Sequence, residues 1–204
     1  MARQNRAVRT RRTLIDAAAV EFNRDGYHGA SLAQISLAAG ISMGALTFHF
    51  PNKAELADAV AEEGWSTARA AVERIAHQPT SPLQRTIELT LELTRLLEED
   101  ALVRCAVGLS RERHSATQWA EVWLPLANSL ASQAHESGQL SSHTPPDDLT
   151  ELVRLLVGGS ELYVRSDGTT ATSDYNSAVA RLRRSWHLVL EGIAPAAEPP
   201  EPAH

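Results

Sequence analysis

Apolar residues recur along this chain at steps of three and four, and no stretch stands out with the alternation of a half-buried strand. Serine, asparagine and proline stand at the starts of several periodic segments, as helix caps require. Alanine and leucine are abundant, and only 5% of the residues are aromatic, which favours helix. We therefore predict an all-α protein, with helices over residues 7–24, between Ser31 and Gly40, and over 43–48, 53–76, 82–99, 101–111, 115–137, 147–165 and 173–191.

The segment from Ser31 to Phe50 predicts two short helices joined by a tight turn. Gln34 follows Ser31 at the spacing of a capping box. Gly40 lies where the chain turns, a position that favours glycine when φ is positive, and Ser42 caps the second helix. A helix-turn-helix lays its second helix in the major groove of DNA, so this segment predicts DNA binding.

The first sixty residues closely resemble the DNA-binding domain of the TetR family of repressors. The resemblance is carried by FNRDGY at 22–27, the unit 31–40, GALTFHF at 44–50 and NKAEL at 52–56. Within that family, the opening MARQ and the GAL…FHF string are similar to the γ-butyrolactone receptors of actinomycetes. Those receptors usually carry Thr-Lys where this chain has Ser42-Met43, and tyrosine where it has Thr47. A relative's operator sequence is therefore not expected to apply here.

The resemblance implies two domains. Residues 1–50 correspond to a three-helix DNA-binding domain with a basic arm, followed by a linking helix over 52–76. Residues 77–193 correspond to a helical ligand-binding and dimerisation domain, and the proline-rich tail over 194–204 is predicted to be disordered. The charged cluster over residues 111–114 is predicted to be a loop.

The resemblance also carries DNA contacts onto individual positions. Phe48 and Phe50 are expected to pack the second helix against the core. For His49 a structural hydrogen bond is the alternative to a phosphate contact, and for the N-terminal arginines a disordered arm is the alternative. The candidate DNA-binding residues are Arg3, Arg6, Ser31, Ser42, Met43, Gly44, Thr47, His49 and Lys53.

Charge supports this orientation. The formal net charge of the chain is −6, which alone would argue against a nucleic-acid partner. Residues 1–55 carry a net charge of +3, however, and the remainder carries −9. A basic N-terminal part on an acidic body is expected to direct that part toward a duplex, although a solvated arm is the alternative.

Two apolar stripes near the C-terminus are wide enough to require a partner surface. The resemblance implies that the last two helices pair with a second subunit, which would place two recognition helices about 34 Å apart on an inverted repeat. An intramolecular core would produce the same stripes. The candidate dimerisation residues are Leu149, Leu152, Leu156, Tyr175, Val179, Leu182 and Trp186.

The C-terminal part is expected to hold a small-molecule pocket. Trp119 aligns with a tryptophan that lines the lactone pocket of the γ-butyrolactone receptors, and Ser160 falls where some relatives place a hydroxyl. An indole with one N–H donor suits an apolar pocket, but filling a core is the commoner fate of a buried tryptophan. The candidate ligand-binding residues are Trp119, Trp123, Ser160, Leu89, Leu93, Cys105, Leu109 and Leu156.

Other chemistry has little support. The single cysteine, Cys105, and the absence of an apolar signal core favour the cytoplasm. No apolar run approaches the roughly 20 residues of a membrane helix. No metal-ligand spacing or nucleophile motif stands out, so we expect no cofactor, no metal and no enzymatic activity.

The leading hypothesis is a homodimeric repressor that binds an inverted-repeat operator and is released by a small signalling molecule such as a γ-butyrolactone or butenolide. One alternative is a pseudo-receptor that responds to an antibiotic or biosynthetic intermediate, or to no ligand. An alternative of a different class is a helical small-molecule-binding protein or enzyme without DNA binding, suggested by Met43 and Thr47.

Overall fold

The computed structural model describes residues 2–113, 119–167 and 177–193. The described ranges contain helices joined by turns and loops, without a strand. The helices are α1 (Ala2–Gly29), α2 (Leu32–Ala39), α3 (Met43–His49), α4 (Lys53–Ala76), α5 (Pro82–Glu99), α6 (Ala101–Glu112), α7 (Trp119–Glu136), α8 (Pro146–Asp167) and α9 (Ala178–Ile193). The all-α prediction is confirmed, and α4 and α5 have the predicted bounds. Residues 114–118, 168–176 and the predicted tail lie outside the described residues.

The prediction for the first helix was wrong at its start, but the break that it placed at Gly26 is confirmed. Helix α1 begins at Ala2, so the arginine-rich segment is helical and is not a disordered arm. Arginine is a good helix former, and Arg12 pairs with Asp16 one turn later at 3.0 Å. The expected stop, Gly26, has φ 71° and ψ 173° and breaks the helical geometry, but the chain resumes the helix to Gly29.

The chain forms two compact units. The first unit comprises Met1–Ala71 with Leu96–Val122, and the second comprises Val72–Arg95 with Trp123–His204. Helices α4, α5 and α7 each contribute to both units, because the divisions fall inside them. The predicted domain boundaries at residues 50 and 77 divide the chain by function, into DNA-binding and ligand-binding parts. They remain a prediction.

The core of the first unit is shared between the helix-turn-helix segment and α6. Two hydrogen bonds also join α1 to α6. The Asn23 side chain donates to the Ala101 carbonyl at 2.8 Å, and the Tyr27 backbone N–H donates to the Glu112 carboxylate at 2.8 Å. The cluster over 111–114 was predicted to be a loop, but Arg111 and Glu112 are helical. The core is formed by Leu14, Ile15, Ala18, Ala19, Phe22, Ala30, Ile35, Leu46, Phe50, Leu56, Ala57, Val60, Cys105 and Leu109.

The second unit buries polar groups that are satisfied internally. Thr86, Thr90 and Thr94 on α5 are fully buried, and each hydroxyl donates to a carbonyl of the same helix. The Thr90 oxygen also accepts a 2.7 Å hydrogen bond from the indole N–H of Trp186. These bonds avoid the cost of an unpaired buried group and attach α9 to α5.

No single helix in the described ranges is long and apolar enough to cross a membrane. The pair α2 and α3, bent by 108°, meets that test of length and composition when the two helices are taken together.

Gly64 provides a test of the packing of α4 on α6. A Cβ atom at Gly64 would collide with the Leu102 carbonyl oxygen and would lie 2.8 Å from the Ala106 Cβ. Because overpacking against backbone costs about 1–3 kcal/mol, we expect Gly64→Ala to lower the free energy of unfolding by that amount. Urea unfolding at fixed protein concentration measures it.

Gly108→Ala is the matched control. Gly108 is also inside a helix of the first unit, and a Cβ there would meet no atom within 4 Å. Helix propensity then predicts a gain of up to about 1 kcal/mol. Equal effects of the two substitutions would contradict the close approach at Gly64.

Candidate nucleic-acid interface and effector site

The turn between α2 and α3 has the geometry of a helix-turn-helix. The Ser31 hydroxyl accepts from the Gln34 backbone N–H at 3.2 Å, and the Gln34 side chain accepts from the Ser31 N–H at 2.9 Å, which confirms the capping box. Gly40 has φ 64°, the left-handed conformation that favours glycine. The Ser36 hydroxyl donates to the Ile41 carbonyl at 2.5 Å, and Ser42 caps α3 by accepting from the Ala45 N–H.

Helix α3 presents four of the predicted groove-facing residues at its surface. Ser42, Gly44 and Thr47 are exposed, and Met43 is 41% exposed. A Cβ at Gly44 would meet nothing within 4 Å, so a partner can approach the backbone closely there. The Thr47 hydroxyl donates to the carbonyls of Met43 and Gly44 at 3.0 and 3.2 Å.

The two phenylalanines at the end of this segment differ in their surroundings. Phe50 is 3% exposed and belongs to the core, as predicted. The same prediction for Phe48 was wrong, because its ring is 82% exposed. Leu46 fills the core position on α3, and Phe48 lies two residues on, away from that buried face. Sequence reasoning missed Phe48 as a surface residue, although its offset from Leu46 was the available signal.

A basic cleft of about 460 Å³ lies beside the turn. It is lined by Asn5, Arg6, Arg9, Thr10 and Thr13 of α1 together with Ala39 and Ile41. Arg6 and Arg9 are exposed, and no carboxylate lines the cleft, so its field is positive. Arg9 was not predicted as a site residue, because only the packing of α1 brings it to the turn. The side chain of Arg3, a predicted DNA-binding residue, lies outside the described part of the structure.

Two other arginines of the first unit, Arg12 and Arg24, are paired with carboxylates. Arg12 pairs with Asp16 and with Glu63 at 3.2 Å. The Arg24 guanidinium contacts Glu21 and Asp25, and its hydrogen bond holds the pKa of Asp25 below the usual value. Arg6 and Arg9 therefore bring positive charge to the turn that no carboxylate lining the cleft cancels.

Lys53 has carbonyl partners. Its ammonium group donates to the carbonyl oxygens of Tyr27 at 2.7 Å and Ala30 at 3.0 Å, and lies 4.6 Å from the centre of the Tyr27 ring. This places the positive charge at the C-terminal end of α1, where unpaired carbonyls favour a cation. The predicted phosphate contact of Lys53 remains a prediction. His49 is half-buried, with the Phe48 ring at 5.4 Å and the Phe50 ring at 6.5 Å.

Two buried indole groups keep an unused donor. Trp119 begins α7 in the first unit and is 7% exposed. Its ring stacks on Trp65 at 6.1 Å between centroids, with an interplanar angle of 25°. Trp123 in the second unit is 2% exposed. The ring N–H of each tryptophan is buried without a hydrogen-bond partner in the described structure, an uncommon condition that an incoming acceptor would relieve.

The other predicted ligand-binding residues divide between the units. Cys105 and Leu109 pack in the core of the first unit, and burial raises the pKa of the Cys105 thiol to about 12. Leu89 and Leu93 are buried in the second unit. The Ser160 hydroxyl donates to the Leu156 carbonyl at 2.9 Å, and both residues line a cleft of about 210 Å³ between α8 and α9.

Three of the six predicted dimerisation residues that the structure describes are buried within the chain itself. Leu149, Leu182 and Trp186 are at most 5% exposed within this single chain. Their burial agrees with the alternative that these stripes form an intramolecular core. Leu152, Leu156 and Val179 are half-buried, and Tyr175 lies outside the described residues. Sequence reasoning missed the exposed leucines of these helices, which are Leu155 at 66%, Leu162 at 56% and Leu188 at 75%.

Comparisons with known proteins agree with this geometry. The family model for bacterial regulatory proteins of the tetR family matches residues 14–60. The A-factor receptor protein of Streptomyces griseus is 28% identical over 197 residues, which cover 95% of this chain and 67% of that protein.

Solved structures are similar over nearly the whole chain. One, described as a gamma-butyrolactone receptor (ArpA-like protein), has a TM-score of 0.76 and 26% identity over 93% of this chain and 90% of that one. Another is the TetR family protein CprB from Streptomyces coelicolor in complex with its biological operator sequence, with a TM-score of 0.72 and 27% identity over 94% and 91%.

Lys53→Met tests whether the lysine supports the fold or contacts phosphate. Methionine keeps the aliphatic stem but leaves the Tyr27 and Ala30 carbonyls without their donor, so we expect a loss of about 1–2 kcal/mol in unfolding free energy. Urea unfolding, followed by helical circular dichroism, measures this loss.

Arg9→Met is the control for charge. Arg9 lies in the basic cleft and makes no ion pair among the described residues, so its loss should leave stability unchanged and reduce the salt slope of duplex binding by about one. If Lys53→Met also left stability unchanged and lowered the salt slope, Lys53 would contact phosphate and would not support the fold.

Proposed function

We propose that this chain, in which residues 14–60 match the tetR family of bacterial regulatory proteins, is a homodimeric repressor released from an inverted-repeat operator by a lactone-type signalling molecule. The observation that carries this proposal is the helix-turn-helix, whose left-handed Gly40 turn and two capped helices lie beside a cleft lined by Arg6 and Arg9. CprB, which has a similar fold, has been solved with its operator.

Binding to DNA divides between the cleft and the recognition helix α3. Arginines of the cleft neutralise phosphates, which supplies affinity and makes it salt-dependent. Helix α3 enters the major groove and contacts base edges. His49 remains a proposed phosphate contact at the end of this helix, and Ser31 a proposed contact at the start of α2.

The proposed effector is a small lactone, since the relatives include an A-factor receptor and gamma-butyrolactone receptors. A lactone carbonyl is an acceptor without a donor, and the buried ring N–H of Trp119 is a donor without an acceptor. Their pairing would satisfy both groups inside an apolar site. We therefore propose that Trp119 donates to the effector, with Trp123 as a second candidate donor.

Helix α4 is the proposed route from effector to DNA. It begins at Lys53, directly after the recognition segment, and continues as one helix past Ala71 into the second unit. A shift of α4 would alter the separation of the two recognition helices in a dimer. The effector releases DNA only if it binds the released conformation more tightly than the DNA-bound one.

The second copy is proposed to pack on the exposed side of α8 and α9. Leu155 and Leu162 are seven residues apart on α8, with Gly158 and Gly159 exposed between them. A Cβ at either glycine would meet nothing within 4 Å, so a partner helix can approach the backbone closely. Leu188 adds an exposed apolar group on α9. Exposed leucines in this arrangement are typical of an interface.

Two finer inferences accompany the proposal. We infer that the chain has no catalytic activity, because its relatives are regulators and its one thiol is buried with a pKa of about 12. We also infer that it works in the cytoplasm, where operator DNA is located.

The release of DNA tests the effector proposal. The chain is bound to a labelled duplex selected from a random pool, and synthetic γ-butyrolactones or an organic culture extract of the source organism are added. We expect the fluorescence anisotropy to fall to the value of free duplex. Binding that persists in every case would contradict lactone control and favour the pseudo-receptor alternative.

Trp119→Phe locates the donor. Phenylalanine keeps an aromatic ring against Trp65 and removes the N–H, so the effector concentration for half-release should rise about threefold to tenfold with duplex affinity unchanged. Trp123→Phe is the matched variant with the other buried N–H removed. Equal loss of duplex affinity and release in Trp119→Phe would mean that Trp119 only fills the core.

The dimer face is tested by Leu162→Glu. The single change should weaken the dimer at least tenfold, because it places a carboxylate from each copy in the interface. The double variant Leu155→Glu, Leu162→Glu places four carboxylates there and should abolish the dimer. Sedimentation velocity measures the fraction of dimer. Val20→Glu, at a residue 55% exposed on α1, should leave the dimer intact. Dimers unaffected by both leucine changes would place the interface elsewhere.

A further inference from the structure

The recognition helix uses its own polar groups internally. The Thr47 hydroxyl gives its only proton to the carbonyls of Met43 and Gly44. The Ser42 oxygen accepts the Ala45 N–H at 3.3 Å as the helix cap. A threonine held in this way has no proton left for a base edge. Of the side chains predicted to face the groove, only Ser42 keeps a hydroxyl proton to donate.

The largest exposed side chains of α3 are apolar. The exposed groups are the thioether chain of Met43, 41% exposed, and the ring of Phe48, 82% exposed. Gly44 adds no side chain and leaves open space above the backbone. On a helix that is proposed to enter the major groove, such groups can be buried against an apolar group of the DNA.

Only one base presents an apolar group in the major groove. Thymine carries a C5 methyl group, whereas guanine, adenine and cytosine present hydrogen-bonding atoms there. A helix with almost no free donors distinguishes bases poorly by hydrogen bonds, but its thioether and aromatic ring can pack against a methyl group.

We propose that Met43 and Phe48 are the specificity-determining residues of this chain, and that they read thymines in each half-site through the C5 methyl group. The inference rests on the proposed DNA binding and assigns the kind of base that it selects. Phosphate contacts from Arg6 and Arg9 supply affinity without sequence information, and the apolar contacts supply the selection.

Uracil substitution isolates the methyl group. Replacing thymine by deoxyuridine removes the C5 methyl and keeps every hydrogen-bonding group and the base pair. A duplex is first selected from a random pool with the full-length protein, and each thymine is then replaced in turn. At a contacted thymine we expect roughly fourfold weaker binding for one half-site, and about fifteenfold for the symmetric pair.

Variants of the two residues complete the test. Met43→Ala or Phe48→Ala should bind the thymine and uracil duplexes equally at the position that each residue reads. Met43→Lys restores a charged donor and should select guanine there instead. Val20→Ala, at an exposed apolar residue of α1, should keep the full preference for thymine.

The results of these binding measurements distinguish a failure of the methyl readout from a failure of the proposed DNA binding. Equal binding of thymine and uracil duplexes, with salt-dependent affinity and rejection of a scrambled duplex retained, would overturn the methyl readout and leave DNA recognition in place. Binding that does not distinguish any duplex from a scrambled one would overturn both. Loss of affinity on uracil substitution that Met43→Ala and Phe48→Ala do not remove would assign the readout to other residues.

Discussion

The structure of the first unit depends on the packing of α6 into the core of the helix-turn-helix segment. Three short helices bury little apolar surface, and small domains are marginally stable for that reason. Cys105 and Leu109 extend the core, and Gly64 permits α6 to contact the backbone of α4. Hydrogen bonds from Asn23 and Tyr27 hold the two ends of α6 to α1. The DNA-binding segment is therefore stabilised by a helix that lies 50 residues further along the chain.

This shared core gives a physical basis for control of DNA binding. A change at α6 or at the start of α7, where Trp119 stacks on Trp65, alters contacts within the same compact unit that holds the recognition helix. Interiors are close-packed, so they respond to such a change by switching between arrangements more readily than by stretching. The unused N–H of Trp119 lies in this network, at the position proposed above for the effector.

Affinity and selectivity for DNA are assigned to different elements. Arg6 and Arg9 lie on α1, and their charge is not cancelled by a carboxylate in the cleft. Helix α3 contains no lysine, arginine, aspartate or glutamate, and its largest exposed side chains, Met43 and Phe48, are apolar. A surface of this composition binds weakly by itself and selects by shape, so it depends on the phosphate contacts to bring it to the groove.

The sequence by itself determined the helices and the turn, because caps, periodicity and a left-handed glycine act over a few residues. Ser31 with Gln34, Gly40, and the bounds of α4 and α5 all follow from such local rules. The tertiary structure decided which side of each helix is buried. Periodicity identified the stripe of Leu149, Leu182 and Trp186, but only packing showed that these residues fill their own unit while Leu155, Leu162 and Leu188 face outward. Glu112 and Arg9 owe their positions to contacts between helices distant in sequence, and no local pattern specifies such contacts.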